Sequence, residues 1–138
     1  EACHFISVGN AGDYGVLLWD SLSTSSYPAF SFSRLGVLPA ELVSEQLQHA
    51  DFGIAVISSH LVGKSSSVAA MVSHGLPVII SRLSPKCGQW HQSLQQSGHF
   101  ILLNSSFSSA LASASKYPPV NTLDATARQF VRDLVCVM

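Results

Sequence analysis

Charge is scarce in this chain. Lys and Arg number 7 and Asp and Glu 8, together 11% of 138 residues, for a formal net charge of -1 with histidine neutral. No cluster of basic residues stands anywhere in it, so the electrostatic footprint that nucleic-acid binding requires is missing and that class of partner is excluded. Cysteine is also sparse. Cys3, Cys87 and Cys136 are odd in number and far apart, with no Cys-x-x-Cys among them, which excludes a disulfide framework and a zinc knuckle and predicts reduced thiols in a cytosolic compartment. The 6 histidines include no His-x-x-x-His and no neighbouring ligand set, so no metal is expected. Long hydrophobic runs are absent too: "GIAVI" and "LPVII" are too short to cross a bilayer, and no charged-then-apolar leader opens the sequence.

What is abundant is apolar surface. Hydrophobic residues make up 47% of the chain, which argues against disorder. A chain of this length buries about two-thirds of its unfolded surface without cross-links, so one domain spanning 1–138 is expected. It opens Glu-Ala-Cys-His-Phe-Ile, with no initiator Met and a strand-like pattern at once. An excised piece of a longer protein is the expectation.

Strand and helix patterns alternate. "HFISVG" (4–9) reads as a strand closed by glycine, and "NAGDYGVLLWDSLS" as a loop and a helix whose Val16, Leu17, Trp19 and Leu22 share a face. "AFSFSRLG" (29–36) alternates Phe30 and Phe32 with serines, a second strand near an edge. "LPAELVSEQLQHA" has Pro39 at a helix start, Glu41 and Glu45 in early turns, and Leu42, Val43, Leu47 and Ala50 on one stripe. "DFGIAVI" (51–57) is continuously apolar and predicts a central strand buried on both faces. "SSVAAMVSH" is a helix that Gly75 caps and Pro77 forbids from continuing. "PVIIS", a short polar helix in "SPKCGQWHQSLQQSG", a strand in "HFILLN" (99–104), a helix in "SSFSSALASASKY" opened by Ser105 or Ser106, and a last helix in "TLDATARQFVRDLVCV" with Asp124 and Arg128 paired complete the order. This alternation predicts an α/β fold with a doubly wound parallel sheet, whose ligands bind beyond the carboxyl ends of the strands.

One such end carries "HLVGKSSSVAAMVSHGLPVII", with Gly63-Lys64-Ser65 inside it. A hydrolytic P-loop needs a glycine where this chain has Ser58, and no apolar strand ends in an Asp able to hold Mg²⁺. A P-loop-like NTPase is therefore the weakest of the readings kept. The physics of anion binding survives the incomplete motif. Gly63 followed by a helix starting near Ser65 offers free backbone N–H groups at a positive helix end, to which Lys64 adds a point charge and Ser65, Ser66 and Ser67 add hydroxyls. Spacing alone leaves open the plainer alternative that the serines only cap the helix and Lys64 is solvated.

The stretch from Leu38 to Arg82, "LPAELVSEQLQHADFGIAVISSHLVGKSSSVAAMVSHGLPVIISR", resembles the nucleotide-sugar-binding half of GT-B glycosyltransferases, in particular the family 4-like group. Element order extends the resemblance over most of the chain. It implies a three-layer Rossmann-like domain with a mostly parallel, doubly wound sheet of about five or six strands, forming the C-terminal half of a two-domain protein. It further implies transfer of a sugar from a nucleotide diphosphate donor to an acceptor held by an N-terminal domain of the same protein, with no cofactor or metal and, in this group, with retention. Gly75, Pro77 and Val78 match the family's Glu-Ala-Met-Ala-x-Gly-x-Pro-Val. Its glutamate falls on Ala70, and a second, upstream, falls near Val62. The usual Val-Gly-Arg and Lys-Gly of the first loop appear as Val8-Gly9-Asn10 and Tyr14-Gly15, so cations that neutralise the diphosphate are missing.

The resemblance and the loop chemistry together assign the donor diphosphate to Gly63, Lys64, Ser65 and Ser66, with Gly9, Asn10 and Gly12 of the first glycine loop. The nucleotide base would meet backbone groups around Val37 and Leu38, whose alternative role is ordinary helix entry. His60 is the candidate for the donor sugar, against simple exposure. Asp13 could contact a substrate or stabilise its turn, and Trp19 and Trp90 read as packing residues. No catalytic residue can be named. A second class stays open, a non-catalytic nucleotide-sugar-binding or interaction module that kept the scaffold and lost the carboxylates.

Overall fold

A computed structural model of the chain describes residues 2–24, 28–85, 88–119 and 128, with backbone alone over 88–90. The order is β1 (Cys3–Val8), α1 (Gly12–Thr24), β2 (Phe30–Gly36), α2 (Ala40–His49), β3 (Gly53–Ser58), a 3-10 helix (Ser59–Lys64), α3 (Ser66–Ser73), β4 (Val78–Arg82), α4 (Gly88–Gln96), β5 (Phe100–Leu102) and α5 (Phe107–Ser113). Every pairing among the described residues is parallel, and each crossover carries a helix, as parallel neighbours require. The fold is therefore α/β, built of βαβ units, with its five described strands in a sheet of β1-β2 and a sheet of β3-β4-β5. The chain clusters into two compact units, Glu1–Gln46 and Leu47–Met138.

In the first unit an aromatic cluster does the packing. Register sets Phe5 opposite Phe32, and their rings stack at 5.2 Å. Phe30 meets Phe5 edge-on at 5.6 Å, and Trp19 of α1 meets Phe32 edge-on at 5.9 Å. Beside them His4 Nδ1 and Ser31 Oγ share a hydrogen bond of 2.6 Å across the ladder. The expected stripe of α1 needs correction at Leu17, which is 70% exposed, while Val16, Trp19 and Leu22 are half-buried. Leu42 likewise falls outside the stripe of α2: it is exposed, whereas Val43, Leu47 and Ala50 are half-buried.

The second unit holds the hydrophobic core. Strand periodicity and register put Gly53 and Ala55 on one face with Val78, Ile80, Phe100 and Leu102. Val68, Met71 and Val72 of α3 and Leu94 of α4 join that face in a single cluster. Gly53 sits where Met71 crosses it: an added Cβ would lie 2.5 Å from the Met71 sulfur. The expectation that β3 is buried on both faces is overturned, because Ile54 and Val56 are exposed. The reason is topological. Among the described residues β3 is an end strand of its sheet, and the helices after β3 and β4 contribute to the core on the face of Ala55, opposite to that of Ile54 and Val56.

Gly75 ends α3 as expected, with φ +77° and its N–H donating to Val72 O at 2.9 Å, and Leu76 and Pro77 then enter β4 fully buried. β5 is shorter than the 99–104 expected. Asn104 Oδ1 accepts from Ser106 N at 3.0 Å and from Ser106 Oγ at 2.7 Å, a local turn that competes with the ladder and leads into α5. Residues 114–119 then tie down the chain where it enters the three strands. Lys116 Nζ donates to Gln48 O ahead of β3, Tyr117 N donates to Gly75 O ahead of β4, and the Tyr117 hydroxyl donates to Gly98 O ahead of β5. The last expected helix lies outside the described residues except at Arg128, which is helical and exposed. No described helix is long and apolar enough to cross a membrane.

Candidate functional site

The predicted residues fall into two groups, each at the carboxyl ends of the strands of its own unit. In the first unit Gly9 and Gly36 end β1 and β2 with φ of +107° and +70°, conformations that favour glycine, and Gly9 N donates to Gly36 O at 2.6 Å. That bond lays the loop of Gly9, Asn10 and Gly12 beside the segment of Val37 and Leu38. Its amides are partly spent: Gly9 N on Gly36 O, and Gly12 N on Asn10 Oδ1 at 3.0 Å. Val37 is 78% exposed and Leu38 half-buried. Asp13 is exposed in the first turn of α1.

The second group is contiguous. The segment after β3 is a 3-10 helix rather than an open glycine loop, anchored through Ser59 and Val62, which are buried. His60, Gly63 and Lys64 are exposed on it. Beyond Gly63's own chain neighbours and local helix backbone nothing lies within 4 Å of the place a Cβ would take, so backbone approach from outside is open there. Ser65 is the N-cap of α3: its Oγ accepts from Val68 N at 3.3 Å, and its own N–H donates to Val62 O at 3.3 Å. Ala69 N donates to Ser65 O, so the Ser66 and Ser67 amides precede the first bond within the helix and point from its positive end. Both residues are exposed, as is Lys64. Ser65 thus fills the capping role that the sequence left as an alternative.

The two positions where the resemblance expects carboxylates are a valine and an alanine in different settings. Val62 is 5% exposed and belongs to the core cluster, while Ala70 is half-buried on α3. His74 caps the far end of α3, its ring Nδ1 hydrogen-bonded with Ala70 O at 2.8 Å. Trp19 is a packing residue; the Trp90 side chain lies outside the described residues. No group of three or more His, Cys, Asp or Glu among the described residues is arranged to hold a metal ion.

Sequence reasoning missed Ser59 and His91. The Ser59 hydroxyl is 0% exposed, lies 2.7 Å from His91 Nε2 and accepts from Ser84 N at 3.1 Å. Partners 25 and 32 residues away leave no periodic trace. The only local signal is a serine directly after an apolar strand. Comparison of this chain with protein-family models, curated proteins and solved structures finds no match.

Proposed function

We propose that this chain is the donor-binding domain of a GT-B-type glycosyltransferase, a Rossmann-like domain with a doubly wound, mostly parallel sheet that binds a nucleotide diphosphate sugar. The observation that carries the reading is the exposed Lys64 directly ahead of the capped start of α3, at the carboxyl end of a parallel strand. A diphosphate there meets a point charge, two first-turn amides and the hydroxyls of Ser66 and Ser67 in one small region. His60, exposed on the same 3-10 helix, is the contact for the sugar. Transfer would break the bond between the sugar and the diphosphate, and the negative charge gathering on the departing diphosphate is what Lys64 and the helix end would stabilise. An acceptor-binding half is required for turnover, so the chain alone binds without transferring.

A second reading, a non-catalytic nucleotide-sugar-binding module, has a specific observation in its favour. Val62 is packed into the core at a position where the family places a carboxylate. A P-loop-like NTPase is disfavoured by the anchored 3-10 helix, which does not wrap a phosphate as a glycine-rich loop would.

Calorimetric and NMR titration with UDP, GDP and ADP and their sugar conjugates tests the shared core of both donor-binding readings. Saturable binding with shifts at residues 63–67 is expected, and Lys64→Ala should raise Kd by about tenfold while leaving the unfolding midpoint in place. Silence at millimolar ligand, or an unchanged Kd in the variant, would remove the diphosphate from this site.

A further inference from the structure

Ser59 is a polar side chain buried at 0% exposure, the one so classed among the described residues, and it stands at the first position of the 3-10 helix that carries Lys64. Its hydroxyl joins three parts of the unit: β3 directly before it, the loop after β4 through Ser84 N, and α4 through His91 Nε2. A serine and a histidine at 2.7 Å are also the arrangement of an activated nucleophile. Complete burial argues against that role, because a nucleophile must meet its substrate. A buried hydroxyl with fixed partners instead holds geometry, since leaving any of these groups without a partner costs the full desolvation penalty. At its other end the 3-10 helix is held by Val62, buried in the core, whose carbonyl accepts from Ser65 N. Lys64 therefore projects from a short segment pinned at Ser59 and at Val62.

We propose that Ser59 and His91 form a positioning clip that fixes the 3-10 helix against α4 and the loop after β4, and through it sets the place of Lys64 and the entry of α3. The proposal rests on the reading of this segment as the diphosphate site, but the clip itself can be tested without a nucleotide. His91 is half-buried, so its replacement is tolerated by the fold better than that of Ser59. His91→Ala removes the bond to α4 and leaves that from Ser84 N in place, and His91→Gln restores a hydrogen-bonding group of similar reach.

Amide hydrogen exchange on the whole chain is the first readout. In His91→Ala the amides of residues 62–68 should exchange about tenfold faster than in the parent, with those of β4 unchanged, and His91→Gln should return most of the protection. UDP affinity is the second. Kd should rise by about tenfold in His91→Ala, and the loss should shrink when Lys64→Ala is already present, because a residue acting through Lys64 cannot add to its absence. Unchanged exchange at residues 62–68 overturns the clip, whatever UDP does. Faster exchange with unchanged UDP affinity, or strictly additive losses, overturns its positioning role. Failure of the parent chain to bind any nucleotide overturns the functional reading and the positioning role with it, while the exchange data still decide whether the clip exists.

Discussion

The two units are built from the same kinds of element and differ in what those elements bury. Among the described residues of Glu1–Gln46 none is buried, while Leu47–Met138 contains Leu76, Val78, Ile80 and Leu102 at 2% exposure or less. The cause is in the strands. In β1 and β2 the row of Phe5, Phe30 and Phe32 also carries Ser7 and Arg34, and the opposite row mixes His4, Ser31 and Ser33 with Ile6, Val8 and Leu35, which are exposed, so the packing rests on the aromatic rings. β3, β4 and β5 are nearly unbroken runs of Val, Ile, Leu and Ala that α3 and α4 can cover. A two-stranded sheet gains less from burial than a three-stranded sheet covered by helices. Stability is therefore concentrated in the second unit, which also carries Lys64.

Deleting the packing in each unit sharpens that contrast. Ile80→Ala, at 0% exposure, should cost about 4 kcal/mol, and Phe32→Ala, half-buried in its aromatic cluster, about 2 kcal/mol. Urea unfolding of the two variants measures both, and equal costs would mean that the first unit relies on burial as heavily as the second. Gly75→Ala should follow at about 3 kcal/mol. Its φ is +77°, and a Cβ there would lie 1.9 Å from the carbonyl oxygen of Tyr117, so the backbone of residues 116–118 would have to move. Gly63→Ala, with open space where its Cβ would project, is the control and should unfold at nearly the parent's urea concentration.

The order of strands and helices was legible because hydrophobic period and glycine or proline punctuation are local. Gly75 and Pro77 after an apolar helix announce its end, and the structure ends α3 there. What misled was the assumption that an apolar strand is a central one. "GIAVI" does not state which of its faces helices will cover, and α3 and α4 join the core on the Ala55 face while Ile54 and Val56 on the other are exposed. Leu17 and Leu42 depart from their expected stripes for a related reason: a helix with extra apolar residues allows more than one stripe, and packing selects among them. At the candidate site the run Gly63-Lys64-Ser65 was visible as a helix entry, but its 3-10 conformation was not. That segment buries Val62 and bonds Ser59 to Ser84 and His91, which lie elsewhere in the chain.

The smallest expected effects come from the helix entries, where the two units can be compared one residue at a time. α1 is entered through Asn10, whose side chain accepts from Gly12 N, and α3 through Ser65, whose side chain accepts from Val68 N. Ser65→Ala should cost about 1 kcal/mol, and Ser65→Gly only a few tenths, about 0.3 kcal/mol. Asn10→Ala should cost about 0.5 kcal/mol, because the bond it breaks is fully exposed to water. Ser65→Asp separates capping from ligand binding. An aspartate caps as well as a serine and suits the positive helix end, so urea unfolding should match the parent within about 0.5 kcal/mol. The same carboxylate beside Lys64 would repel an incoming diphosphate, so UDP affinity should fall by about tenfold. Loss of stability without loss of affinity would make Ser65 a cap and nothing more, and would shift the diphosphate away from the start of α3.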